Sequence, residues 1–323
     1  HIERFLSFRN NDLPGVMLAA SFEKYIQRYD VVPDNNPVIF TNNSSTYSLL
    51  KLLIDRNCIP KAYVDVRDLK KIDKETLDLL EAHNIPFYPK SEIEGCDGNS
   101  EIKNISVRTK KNKIIKIKAS MLCVSGGINP DIHLFTQSKG LVKWDEKILT
   151  FKPEKSFQKT ITLGSVSGNF IFKNIIDEVN KKLNYIDGVN DIDLKIEVNG
   201  SEEFNIKEIW ETKNNNNSLW SKSFIDLQND VTTKDLRQAI REGFDRIEHL
   251  KRFTTNSMGT DQGKISSINA LGIASKLLKK SVSEVGTTTY RPPYSPVSFS
   301  AIAGRSTYEF YDPVRKTPIP PWH

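Results

Sequence analysis

Apolar positions recur along the chain with two different periods, and the changes of period mark its elements. Residues 15–30 (GVMLAASFEKYIQRYD) carry apolar side chains at helical spacing behind Pro14, a residue suited to a helix start. A turn over residues 32–37 leads to Val38, Ile39 and Phe40, a short apolar run with the pattern of a buried strand. A polar loop follows at residues 41–46 (TNNSST), then an amphipathic helix over about 47–56 with Leu49, Leu50, Leu52 and Leu53 apolar. Ala62, Tyr63 and Val64 predict a second strand that ends at Asp65. A helix near residues 74–83 and a third strand at 86–88 complete the alternation. Strand and helix in turn predict a parallel sheet with crossover helices.

Beyond residue 100 the pattern changes. Residues 102–117 alternate as an antiparallel patch, with Lys110, Lys111 and Lys113 at a hairpin tip. Residues 120–125 predict a strand that runs into Gly126 and Gly127. Residues 160–163 predict another that runs into Gly164 and Gly168, with a helix over 170–183 behind it. Residues 184–222 are poor in pattern, and the asparagine run at 214–217 reads as a surface loop. From Lys234 the period is helical. Leu236, Ile240, Phe244, Ile247 and Leu250 share a face of one helix, and Ile268, Leu271, Leu277 and Leu278 predict a second. Residues 291–296 and 313–321 are rich in proline and read as an extended arm.

Composition narrows the class. A chain of 323 residues predicts two domains, or three small ones. No apolar run approaches the roughly 20 residues that span a bilayer. Cys58, Cys96 and Cys123 are too few and too far apart for a disulfide scaffold or a Cys-rich metal finger, and they fit a reducing cytoplasm. Lys and Arg number 46 against 40 Asp and Glu, an excess too thin to argue for nucleic acid. No aromatic side chains interleave with the lysines of the hairpin tip to stack bases. The chain begins at His1 and ends at His323 in mid-phrase, and the expectation is a piece of something longer.

Three places could carry chemistry. The first is the strand–loop–helix around Thr41, Asn42, Asn43 and Ser44, with Asp65 at the end of the next strand. That layout resembles a dinucleotide site, in which an acid about 20 residues on holds a ribose. The loop lacks the G-x-G-x-x-G pattern, and an ordinary capped turn is the alternative. The second place is Gly126, Gly127, Gly164 and Gly168, where a cofactor or a neighbouring segment could come close. The third is residues 254–264 (TTNSMGTDQGK), between two predicted helices. Its hydroxyls, Lys264 and the following helix start suit an anion. A capped helix–helix loop is the alternative there. His83, His133 and His249 have no metal-ligand spacing and read as surface or capped histidines. No residue is assigned a catalytic or metal role.

Several phrases also occur in a recognisable order: residues 13–19 (LPGVMLA), 38–43 (VIFTNN), 124–130 (VSGGINP), 226–232 (DLQNDVT), 248–264 (EHLKRFTTNSMGTDQGK), 284–293 (EVGTTTYRPP) and 314–318 (VRKTP). In this order the chain closely resembles the α subunits of heterotetrameric sarcosine oxidases. The resemblance implies an α/β fold of the two-dinucleotide-domain flavoprotein kind with incomplete parallel sheets, then a helical segment and a Pro-rich extended arm. It implies a connector at residues 1–19, an inserted NAD-binding-like domain at 20–125 and the return of an outer nucleotide domain at 126–222. A helical segment facing FMN and the partner would occupy 223–310, and 311–323 would lead to an absent folate-binding aminomethyltransferase domain. The implied activity is oxidation of sarcosine to glycine by a cytoplasmic complex, with tetrahydrofolate taking the methylene group and oxygen the electrons. FAD and a shared FMN would sit on a β subunit, with γ and δ subunits beside it. For NAD the implied residues are Thr41, Asn42, Asn43, Ser44 and Asp65, with Gly126, Gly127, Gly164 and Gly168. For FMN they are Thr254, Thr255, Thr260, Gln262 and Lys264. A nicotinamide–flavin reductase module and a non-catalytic scaffold subunit are the alternative readings.

Overall fold

The computed structural model describes residues 1–183, 204–214, 222–259 and 261–292, with Tyr294, Ser295, Val297, Ser298 and Ala301 beyond them. The chain opens on β1 (Ile2–Glu3) and then forms β2 (Val16–Leu18), α1 (Ala19–Tyr29), β3 (Val38–Thr41) and α2 (Tyr47–Asp55). There follow β4 (Ala62–Asp65), α3 (Lys74–Ala82) and β5 (Phe87–Pro89). Three antiparallel strands come next, β6 (Glu92–Asp97), β7 (Asn104–Arg108) and β8 (Ile114–Lys118). The chain then returns as β9 (Leu122–Ser125) to a parallel sheet of order β2-β9-β3-β4-β5.

The apolar runs of β3, β4 and β9 follow from burial on both faces. Successive side chains of a strand leave opposite sides of the sheet. Ile39, Tyr63 and Cys123 face the helices and share a core with Phe22, Leu50, Leu53 and Leu80. Val38, Phe40, Val64, Leu122 and Val124 face the other way, onto Ile93, Ile105 and Val107 of the antiparallel strands. Strands covered on both sides read as continuous apolar runs and not as alternation. Phe5, Leu6 and Phe8 close that second layer.

Most of the remainder gathers around a third core. β10 (Ile128–Asn129) pairs with β1, and α4 (His133–Gln137) precedes a hairpin of β11 (Leu141–Asp145) and β12 (Thr150–Lys155). Then come α5 (Phe172–Leu183), β13 (Phe224–Asp226), β14 (Val231–Thr232), α6 (Thr233–Arg241), α7 (Ile247–Thr254), α8 (Ser267–Leu278) and α9 (Val282–Val285). Phe151, Trp210, Leu236, Leu250, Ile268 and Leu271 pack together there. Every residue of α8 from Ser267 to Ser275 is buried, the mark of a helix at the centre of a core. A capping box of Thr232 and Asp235 starts α6, with the Thr232 N–H donating to the Asp235 carboxylate at 2.7 Å.

The α/β class with a parallel sheet and a following helical segment is thus as expected. Four details differ. Residues 16–18 are a strand, because they add to the edge of the sheet beside β9, and the helix begins at Ala19. The single helix expected over 236–250 is two, α6 and α7, parted at Gly243, whose φ of +95° no helix interior accepts. Residues 160–163 are not a strand; β11 and β12 pair instead, and Gly164–Ser167 form a short 3₁₀ turn. β6 went unread because its apolar positions are interrupted by Glu94 and Gly95. Residues 215–217 and the 313–321 arm lie outside the described residues. No helix among the described residues is long and apolar enough to cross a membrane.

Candidate functional site

β3 and β4 end side by side at Thr41 and Asp65. Such carboxyl ends are where open α/β sheets take ligands. Thr41, Asn42, Asn43, Ser44 and Asp65 do meet there, but their polar atoms are spent within the chain. Asn43 is extended, with φ −150°, and its Oδ1 accepts the Ser45 N–H at 2.9 Å. Its Nδ2 donates to the carbonyl and hydroxyl of Ser125. Thr41 Oγ1 accepts the Asn43 N–H at 3.1 Å. Asp65 is fully buried, and its carboxylate accepts the Arg67 backbone N–H at 2.7 Å and the Arg67 guanidinium at 2.8 Å. Arg67 Nη1 donates in turn to Ser44 Oγ at 2.7 Å. Residues 205–207 lie across the loop, with the Lys207 N–H donating to the Asn42 carbonyl and Asn42 Nδ2 to the Lys207 carbonyl, both at 2.8 Å. NAD does not fit this arrangement. The acid meant for the ribose holds Arg67, and the N–H meant for a phosphate is capped by Asn43. Sequence reasoning passed over Arg67, although an arginine two residues after a strand-end acid is the signal for such a pair.

The glycines divide. A Cβ on Gly126 would lie 2.3 Å from the Phe5 carbonyl, and one on Gly127 would lie 2.7 Å from Arg4 Nη2. Both admit the chain's own residues 4 and 5, as the bonds of Gly126 N–H to the Arg4 carbonyl and of Arg4 N–H to the Gly127 carbonyl show. The turn from Gly164 to Gly168 closes around Glu178 of α5. That carboxylate accepts the Gly164 N–H at 2.9 Å, Ser167 Oγ at 2.7 Å and Asn169 Nδ2 at 2.6 Å.

Residues 254–264 form a tight polar loop, apart from Thr260, which lies outside the described residues. Thr255, Ser257, Gly259, Gln262 and Gly263 all have positive φ. Asp226, buried at the end of β13, ties this backbone to the turn after that strand. It accepts the N–H groups of Gln228, Asn229 and Ser257 at 3.0, 3.1 and 2.8 Å. Asp226 was not singled out from the sequence, where it stands only as the first residue of the phrase at 226–232. Thr254 Oγ1 donates to the Leu250 carbonyl and Thr255 Oγ1 to that of Thr254. Gln262 accepts the Arg291 N–H at 3.2 Å. Lys264 Nζ donates to the Tyr294 carbonyl at 2.5 Å and lies 4.1 Å from the centre of the Tyr294 ring. Leu227, Phe253 and Met258 stand exposed around this loop.

His83 and His249 are exposed, but His133 is buried. Its Nδ1 lies 3.0 Å from Asp131, its ring packs at a tilt against Tyr290 with centroids 3.9 Å apart, and its Nε2 has no hydrogen-bond partner. The Tyr294 hydroxyl donates to the other oxygen of Asp131. The hydrogen bond from His133, helped by that from Tyr294, holds the Asp131 carboxyl down to about 2. Burial pushes the Cys96 thiol up to about 12, and Cys58 and Cys123 are buried too. No cluster of three His, Cys, Asp or Glu suited to a metal occurs among the described residues.

Residues 220–305 match the family described as the sarcosine oxidase A3 domain. The chain is 33% identical over 327 residues to sarcosine oxidase subunit alpha of Rhizobium meliloti (strain 1021), covering 99% of this chain and 32% of that one. It is 29% identical over 335 residues to the subunit of the same name from Corynebacterium sp. (strain U-96), covering 99% and 34%. Among solved structures, L-proline dehydrogenase from P. horikoshii aligns with a TM-score of 0.59 at 19% identity, over 94% of this chain and 57% of that one. At that identity the likeness shows the fold alone. The chain spans about a third of the length of the curated relatives it matches. It is therefore similar to the sarcosine oxidase α subunits along nearly all of its own length, with the match to the A3 domain at residues 220–305.

Proposed function

We propose that the chain is part of a flavoprotein oxidoreductase subunit of the sarcosine oxidase type, and that residues 254–264 face a flavin held by a partner subunit. The observation that carries this reading is likeness over 99% of the chain to proteins named sarcosine oxidase subunit alpha. The site supports it locally. A half-buried lysine, a backbone forced into left-handed turns and a rim of exposed Leu227, Phe253 and Met258 together suit an anionic ring system and an apolar partner face. The reaction proposed for the assembly is oxidation of sarcosine, at a CH–NH bond, to glycine. With it go a β subunit bearing FAD and FMN, γ and δ subunits, a tetrahydrofolate domain and a cytoplasmic location. The domain boundaries implied by the resemblance belong to the same proposal.

FMN, when bound, accepts electrons and passes them on. Lys264 supplies the positive charge, and its Nζ is held in place by the Tyr294 carbonyl. Asp226 fixes the loop that presents Lys264, Thr254, Thr255 and Gln262. No side chain of this chain is assigned the oxidation step. NAD is routed through none of the residues named for it, because the loop after β3 does not fit it.

The test is the assembled complex carrying Lys264→Ala. A cation beside the flavin favours the reduced, anionic form, so its removal lowers the FMN potential. A stabilisation of about 1.4 kcal/mol corresponds to about 30 mV for a two-electron couple. An unchanged potential with an unchanged oxidation rate removes the flavin assignment. A flavin-free complex favours the scaffold reading.

A further inference from the structure

We propose that the crevice at the carboxyl ends of β3 and β4 is a clasp for the chain's own residues 205–207, and that it takes no dinucleotide. The proposal stands apart from the flavin reading, which concerns the loop at residues 254–264.

The crevice is where a parallel sheet of this kind receives its ligand. Here a peptide segment fills it. Ile206 makes an antiparallel bridge to Asn43. Lys207 exchanges two hydrogen bonds with Asn42, one through each backbone group of Lys207. Arg67 Nη1 donates to the Asn205 carbonyl at 3.2 Å, and Lys207 Nζ donates to the Val66 carbonyl at 3.0 Å. The segment thus satisfies the loop after β3 and the end of β4 together.

The sheet side of the crevice is built for a peptide carbonyl. Asp65 and Arg67 form a buried pair, with side chains at most 2% exposed. The carboxylate turns the guanidinium so that Nη1 reaches both Ser44 and Asn205. A ribose would need the carboxylate that Arg67 already holds. A pyrophosphate would need the Ser45 N–H that Asn43 already caps. Removing either competitor leaves a buried charge or donor unpaired, which is strongly unfavourable.

The segment continues into both neighbouring cores, and this is what the clasp does. Ile209 joins the core against the antiparallel strands, and Trp210 joins the core of the helices. The Thr212 N–H then donates to the Ser7 carbonyl at 2.9 Å. A crevice that would open and close around a ligand is converted into a fixed joint between the sheet and the helices.

The experiment is hydrogen–deuterium exchange on the full assembly, with and without added NAD, for the native chain and for Asn42→Ala and Arg67→Ala. We expect NAD to leave exchange in residues 41–46 and 65–71 unchanged. We expect Asn42→Ala, which removes one clasp bond without emptying the core, to raise exchange in residues 204–213 by about threefold to tenfold. Arg67→Ala should raise it further or prevent folding. Protection of residues 41–46 or 65–71 by NAD in the native chain overturns the proposal. So does unchanged exchange in residues 204–213 with Asn42→Ala.

Discussion

Glu3 shows how one buried side chain sets a pH dependence. It is buried beside Ser125 at the start of α1, and its carboxylate accepts the Ala20 N–H at 2.8 Å. Burial dominates over these bonds and pushes its carboxyl from 4.5 to about 7. The folded state therefore binds a proton that the unfolded state has already lost between those two values. By linkage, the contribution of Glu3 to stability falls as pH rises from about 4.5 to about 7. Glu3→Gln, which cannot titrate, should flatten that fall. Thermal unfolding of both forms at about pH 5 and about pH 7.5 measures it, and parallel losses in the two would refute the role of Glu3. None of this was visible in the sequence, where nothing around position 3 marks the glutamate as buried. Asp65 was legible as a strand-end acid because the strand before it is an apolar run. Its partner could not be chosen from the sequence, since either ribose hydroxyls or an arginine can bond a strand-end carboxylate.

The loop at 254–264 raises the question of how a short element is held in left-handed turns. Such backbone is costly for residues with a Cβ unless its surroundings determine it. Asp226 contributes from β13, by accepting the Ser257 N–H of the loop while its other oxygen accepts the Gln228 and Asn229 N–H groups of its own turn. Asp226→Ala would orphan the buried Ser257 N–H and should destabilise the protein by about 1–3 kcal/mol. It should also weaken retention of flavin by the complex. Urea unfolding and the flavin-to-protein ratio report the two effects separately. An intact loop, with no loss in either, would show that Asp226 is dispensable. The boundary between α6 and α7 teaches a related lesson. Leu236, Ile240 and Phe244 do keep helical spacing with Ile247 and Leu250, so the periodicity alone reads as one helix. Gly243 breaks it by taking a conformation that only the folded chain requires.

Across the molecule, three cores are joined through segments that are distant in sequence. Trp210 is the plainest joint. It lies against α8 where Gly272 has no side chain, and a Cβ there would come 2.1 Å from the indole. Gly272→Ala gains helix propensity of up to about 1 kcal/mol, yet the overpacking should cost about 1–3 kcal/mol. The net expectation is loss of stability, read as a lower urea midpoint. A higher midpoint would mean that Trp210 yields readily and that the joint is loose. A further signature is predicted by the clasp: if residues 205–212 connect the cores, Gly272→Ala and Asn42→Ala should each raise exchange in residues 204–213. An effect of Asn42→Ala alone would confine the joint to the crevice.

The order of strands and helices over residues 38–89 follows from the chain itself. Local period reports which side chains are buried, and burial on both faces demands continuous apolar runs. The resemblance to sarcosine oxidase α subunits was likewise legible, because its phrases are contiguous and ordered along the chain. The filling of the crevice was not. Asn42 and Lys207 are 165 positions apart, and nothing in the pattern around either one predicts that they meet. Burial of His133 against Tyr290, closure of the Gly164 turn by Glu178 and support of the 254–264 loop by Asp226 have the same character. Each depends on which of several chemically equivalent partners the packing brings within hydrogen-bond distance, and that choice is made by contacts between cores.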